Sequence, residues 1–267
     1  MENKTYSKVI GSSAAPYETA LARKCASAPH YADAGRHYNS LSNYIAATSG
    51  RDSCSGHRCR AGTVSTWNDC RPSPSCRAPV NNLFRQVRNH GGTAKSYEES
   101  MTRRCQVYSS SRYAPKHNPA AYYTGGKDRR ACRRDDVPMG TPHNGAFHRA
   151  LTRAGHLPTF AFVTPNLCHD THDCSVATGD RWLAQWLPQI LDSRAYTSGR
   201  TAVMIVSDED TPCPNVFLAP TIRPGTTSKR SGLGHFAMLR TTEQLLGIGR
   251  FLGHARDAPS FRSVYRF

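Results

Sequence analysis

The run Thr201-Ala202-Val203-Met204-Ile205-Val206, followed at once by Ser207-Asp208-Glu209-Asp210, decides the reading of this chain. Its apolar, β-branched composition predicts a buried strand whose C-terminal end carries carboxylates. Working outward, residues 157–163 predict a second such strand, stopping at Pro165, and residues 216–220 and 93–97 predict two more. Between them lie helical patterns over 16–28, 40–48, 80–90, 144–154, 180–191 and 236–246; the fifth is anchored by Trp182, Trp186 and Leu187. Strands alternating with helices predict an α/β fold with a mostly parallel central sheet flanked by helices. In such folds ligands gather at the carboxyl ends of strands.

At 267 residues the chain is expected to form a single domain over 1–267, interrupted by long loops at about 50–78 and 102–142. The net charge of +16 favours phosphate-bearing partners and a peripheral attraction to anionic membrane surfaces. The arginines are scattered through loops without interleaved aromatics, which argues against a specific nucleic-acid interface. No apolar run is long enough to span a bilayer, and the N-terminus shows no secretory pattern.

Ten cysteines occur without the C-x2-C spacing of a structural zinc site, so disulfides are expected. Cys54 with Cys59, Cys70 with Cys76 and Cys168 with Cys174 are the close pairs. Disulfides would place the protein outside a reducing cytosol, secreted or otherwise extracytoplasmic.

Three polar clusters stand where chemistry is expected: Glu2-Asn3 at the chain start, Asp170-Thr171-His172-Asp173 after the strand at 157–163, and Asp208-Glu209-Asp210 after the strand at 201–206. Carboxylates with histidine suit a divalent metal ion, which polarises phosphoryl oxygens. Taken alone, Asp208-Glu209-Asp210 is more often a solvated turn than a ligand set, and His172 more often a surface histidine than a ligand. Ser40, at a helix start, is either a cap or a nucleophile made more acidic by the helix dipole and a neighbouring metal.

Those motifs, with Ser40-Leu41-Ser42-Asn43-Tyr44, Lys116-His117-Asn118-Pro119, Gly179-Asp180-Arg181-Trp182 and His235 leading into Leu239-Arg240-Thr241-Thr242-Glu243, run in one order along nearly the whole chain. In that order the chain resembles the bacterial phosphoesterase family of secreted acid phosphatases and non-haemolytic phospholipases C. That family is a branch of the alkaline-phosphatase-like superfamily, and actinobacterial secreted acid phosphatases are the most similar group within it. The resemblance implies an alkaline-phosphatase-like fold and metal-dependent hydrolysis of phosphomonoesters through a phosphoserine on Ser40. It implies Glu2, Asn3, Asp170, His172, Asp173, Asp208 and Glu209 at the metal, of which Asp170 and Asp173 are alternatives. It also implies His117 and His235 in catalysis, and Lys116, His117 and Asn43 on the substrate, a small phosphate ester or a lipid head group such as a phosphoinositide.

The family has a hydrophobic strand ahead of its Glu-Asn loop, whereas Met1 already belongs to that loop here, so the expectation is a chain lacking the first strand, with unpaired sheet edges and a fraying Glu2-Asn3. Around Ser40 the family reads His-Pro-Ser-Leu-Pro-Asn-Tyr, against Tyr38-Asn39-Ser40-Leu41-Ser42-Asn43-Tyr44 here. The rival expectations are a phospholipase C-type phosphodiesterase and an inactive copy that binds anions through its charge.

Overall fold

The structure, a computed structural model, describes residues 1–35, 39–54 and 64–267. In chain order its strands are β1 (Ala26–Ser27), β2 (Ser53–Cys54), β3 (Val64–Ser65), β4 (Ala94–Glu98), β5 (Asp136–Pro138), β6 (Phe160–Thr164), β7 (Val203–Val206), β8 (Asn215–Leu218) and β9 (Thr226–Thr227). One sheet, ordered β5-β4-β6, is wholly parallel, with Ser96 opposite both Asp136 and Phe162. A second, ordered β7-β8-β1-β9, is mixed: β8 runs antiparallel to β7 and β1, while β1 and β9 are parallel. β2 and β3 form a parallel pair of their own.

The α/β reading holds, with the parallel character concentrated in the first sheet. The reason β8 reverses lies in its connection. Residues 207–214 separate β7 from β8, and a parallel return needs a crossover of a dozen residues or more.

Both sheets share one apolar layer. The helix Val176–Leu191 lays Trp182, Leu183, Trp186 and Leu187 over Tyr97 and Val137 of the first sheet and Ile205, Val216 and Leu218 of the second. Its Asp180 points away from that layer and caps the neighbouring helix Pro16–Lys24, accepting from Tyr17 N at 3.1 Å and Glu18 N at 2.7 Å. Those are two of the amides a helix start leaves unpaired. No helix of the described residues is long and apolar enough to cross a membrane.

The helix Ser40–Ser49 is buried at every position, although half its residues are polar. Its polar groups are satisfied locally: the Asn39 side chain accepts from Ser42 N, and the Thr48 and Ser49 hydroxyls donate back to Tyr44 O and Ile45 O. Gly50 ends it at φ 65°, where a Cβ would lie 2.2 Å from Leu252 O, so only glycine fits this close approach.

The stretch 102–142, expected as loop, contains the helix Asp128–Asp135 and β5. Its Asp-Arg-Arg-Ala-Cys-Arg-Arg-Asp sequence has almost no apolar face to register. Instead Asp128 is buried as the acceptor of Arg85, Arg88 (3.0 Å) and Asn82 (2.9 Å), and Cys132 is bonded to Cys105. Tertiary ion pairs and a crosslink take the place of amphipathic burial here.

Candidate active site

The carboxyl ends of β6 and β7 converge on Glu2. Met1 forms one rung of a parallel ladder opposite Ser207: its amino group donates to Val206 O at 3.2 Å, and Asp208 N donates to Met1 O at 3.1 Å. On the other side Glu2 N donates to Asp170 O at 2.7 Å, and the Thr171 hydroxyl donates to Glu2 O at 2.8 Å. Glu2 is therefore fully buried and held from both strand ends. The expectation that it would fray does not hold, because its backbone is paired on both sides.

Around the Glu2 carboxylate stand five groups. Ser40 Oγ donates to Oε2 at 3.1 Å and the Tyr44 hydroxyl donates to Oε1 at 2.8 Å. His117 Nε2 lies 3.3 Å from Oε1, and its Nδ1 lies 3.1 Å from Asp170 Oδ2. With its amide turned to donate, Asn3 reaches Glu2 Oε2 at 3.1 Å and Glu209 Oε1 at 2.7 Å. Asp208 completes the ring, with both carboxylate oxygens buried and without a hydrogen-bond partner.

Two sets of three ligands thus meet on Glu2, one with His117 and Asp170, the other with Asp208 and Glu209. Burial pushes the Glu2 carboxyl well above its usual range, and the Asp208 charge pushes it further. Burial and then Glu209 push Asp208 up to about 8; burial and then Asp69 push Glu209 up to about 7. Packing carboxylates together out of water raises each pKa unless a cation offsets the charge. His117 Nε2 and Asp170 Oδ2 are also buried without an aligned hydrogen bond, and unspent donors of this kind, oxygen with one imidazole, fit a divalent metal ion.

The other expected residues divide. Lys116 Nζ lies 3.2 Å from Asp69 Oδ2 and 3.2 Å from His172 Nε2, beside the Ser40 end of its helix, where Leu41 N donates to Asp69 Oδ1 at 3.0 Å. His172 faces Lys116, and its Nδ1 lies 2.6 Å from the half-exposed Asp173 carboxylate. Neither joins the groups around Glu2, so of the two alternatives it is Asp170 that enters the ring. Asn43 spends its carbonyl on Ala34 N and its amide on Asn39 O. His235 has both ring nitrogens engaged, Nδ1 with the Tyr31 hydroxyl at 2.9 Å and Nε2 with Asp208 O. Burial lowers its pKa, and its neutral ring holds the strand end that presents Asp208.

Asp69 and Tyr44 are the site residues that sequence reasoning did not single out. Asp69 sits at φ 51°, and Asn3, Thr171 and Asp210 share the left-handed region at 44°, 79° and 69°. Non-glycine residues held there cost roughly 1–3 kcal/mol each and gather where a site over-determines the backbone. Two crosslinks brace these loops: Cys168–Cys174 encloses Asp170 to Asp173, and Cys70–Cys76 follows Asp69 directly. The sequence left the pairing open and offered both only as close pairs; Cys105–Cys132 was not among those named, and Cys59, the neighbour offered for Cys54, lies outside the described residues. Among the described residues Cys25 and Cys213 are free thiols.

Comparison with known proteins places the chain in a family. The family model described as the phosphoesterase family matches residues 10–234. The chain is 28% identical over 274 residues to the phosphatidylinositol-3-phosphatase of Mycobacterium tuberculosis, an alignment covering 99% of this chain and 80% of that protein. An acid phosphatase of Aspergillus fumigatus is 30% identical over 98 residues, 37% of this chain and 20% of its own length. A phosphate-repressible acid phosphatase of Penicillium chrysogenum is 23% identical over 121 residues, covering 43% and 28%.

Proposed function

Since the chain belongs to the phosphoesterase family and is a hydrolase acting on phosphate esters, we propose that it cleaves phosphomonoesters through a phosphoserine formed on Ser40, with a divalent metal ion at Glu2. The observation that carries this reading is the Ser40 hydroxyl set 3.1 Å from the carboxylate on which both ligand sets meet. Glu2, His117 and Asp170 on one side and Asp208 and Glu209 on the other would hold the metal. When bound it would polarise the phosphoryl group and offset the crowded carboxylates.

The chain's own residues supply the rest. Glu2 accepts the Ser40 proton, freeing Oγ to form a bond to phosphorus as the bond to the alcohol oxygen breaks. Lys116 and His172, 3.2 Å apart beside the Ser40 helix start, are the donors left to meet the phosphate and to protonate the departing oxygen. Water then attacks the phosphoserine and regenerates the hydroxyl. His117, stacked on Tyr44 with ring centroids 5.3 Å apart, is too enclosed to reach a leaving group and serves the metal instead.

The similarity to a phosphatidylinositol-3-phosphatase along 99% of this chain and 80% of that protein makes an inositol lipid phosphate the first substrate to try, and the net charge of +16 supports peripheral attraction to the anionic surface that would carry it. The disulfides support folding in an oxidising, extracytoplasmic compartment. The test is hydrolysis of a chromogenic phosphomonoester by purified protein, with and without chelator. Turnover that the chelator removes, and that Ser40→Ala abolishes in a folded protein, supports the reading. Turnover that survives Ser40→Ala refutes the phosphoserine.

A further inference from the structure

Between β4, β5 and the helix Ala146–Thr152 lies a cavity of about 530 Å³ that contains none of the residues around Glu2. Its charged lining is of one sign: Lys95, Arg104, Arg149 and Arg153, with His156 beside them and no carboxylate. Arg149 and Arg153 stand four positions apart, one in the last turn of the helix and the other at its end, so they project from the same side. Lys95 and Tyr97 alternate on β4 and therefore face the cavity together.

These cations are uncommitted. Among the described residues none of the five forms an ion pair. Arg104 only donates to Arg134 O at 3.3 Å, and Arg149 only to Asn144 Oδ1 at 3.4 Å. The nearby Asp135 carboxylate is already taken at both oxygens by Arg134. Beneath the charges the floor is apolar, formed by Tyr97, Val137 and Ala150, with the Tyr97 ring fixed against Phe147 at 4.8 Å between centroids.

Four like charges around one concavity repel one another, and three of them are planar guanidinium forks suited to oxyanions. A single carboxylate would answer one of them; a phosphate group, carrying up to two charges and three strong acceptor oxygens, answers several. The volume falls among small-molecule sites, roughly 300–1,000 Å³. We propose that this cavity is a second, non-catalytic site for a phosphate group. The phosphate is either free in solution or borne by a lipid head group.

The experiment compares the full chain with the double variant Arg149→Glu, Arg153→Glu and with a charge-matched control, Arg130→Glu, Arg133→Glu, on the exposed side of the Asp128–Asp135 helix. Near-ultraviolet circular dichroism checks folding, and the milder Arg153→Gln stands in if the double variant does not fold. Binding is read by calorimetry with inorganic pyrophosphate and by cosedimentation with phosphatidylcholine vesicles containing one-fifth phosphatidylserine. Loss of about tenfold or more in pyrophosphate affinity in the cavity variant, with the control unchanged, establishes a site for free phosphate. Loss confined to vesicle binding assigns the phosphate to lipid. Equal losses in cavity variant and control, or no loss in either, would overturn the proposal, since net charge alone would then account for any binding.

Discussion

Ser40 Oγ and Glu2 Oε2, 38 positions apart in the chain, are joined by a 3.1 Å hydrogen bond inside a cluster that brings Asp170, Asp208 and Glu209 around Glu2. The hydroxyl is buried and begins the helix Ser40–Ser49, where developing negative charge meets the positive end of the helix dipole. Ser40→Ala is expected to lower kcat by about 10⁴-fold or more in steady-state hydrolysis of a phosphomonoester, in a protein that still folds but loses about 1 kcal/mol of stability with the hydrogen bond.

Tyr44 tests whether Glu2 is held from the helix side. Its hydroxyl donates 2.8 Å to Glu2 Oε1 in a buried hydrogen bond. Tyr44→Phe leaves that oxygen short of a partner in a buried site and should cost about 1–3 kcal/mol in chelated protein, measured by urea unfolding. Added divalent metal should recover part of the loss, because it offers Glu2 another partner.

His235 separates positioning from proton transfer. With both nitrogens engaged, its replacement by Ala strands the Tyr31 hydroxyl and Asp208 O, and a loss of about 2–4 kcal/mol is expected. His235→Gln, which can donate toward Asp208 O, should restore much of the stability and the metal affinity. The shape of the kcat–pH profile should be the same in all three proteins; a missing limb in the Ala variant would instead show that His235 moves a proton.

Glu18 gives a pH dependence outside the catalytic ring. Burial raises its carboxyl from 4.5 to about 7. The protonated form is the one the fold prefers, so its contribution is complete below about pH 4.5 and is lost as pH rises through about 7. Glu18→Gln keeps the uncharged shape at every pH. Thermal unfolding should show no difference from the parent at pH 4.5 and a gain of up to about 3 kcal/mol for the variant above pH 7.

Much of the scaffold was legible because its signals were local. Val203–Val206 and Phe160–Thr164 announce themselves by composition, and the helix Val176–Leu191 by the spacing of its tryptophans. The helix Asp128–Asp135 was not legible, since its stability comes from Arg85, Arg88 and Cys105, all distant in sequence. The site followed the same division. Glu2, Ser40, His117, Asp170, Asp208 and Glu209 lie in ordered motifs, and the fold brings them together around one carboxylate. Asp69 lies in a Ser- and Cys-rich stretch without periodicity, and its role depends on a left-handed backbone and on Lys116, neither visible in composition. Tyr44 reads as helix core, and only the fold shows that its polar end touches Glu2. His172 and Asp173 share a motif with Asp170, yet after the turn at Thr171 the His172 ring meets Lys116 and Asp173 and not Glu2.

The Cys168–Cys174 bond has a consequence for when the protein can work. It closes seven residues around Asp170, which removes about 2 kcal/mol of chain entropy from the unfolded loop. The same loop supplies Asp170 to the ring and the backbone carbonyl that receives Glu2 N. On the proposed mechanism, reduction would release one side of the pocket, so turnover should fall as thiol is added and return on oxidation.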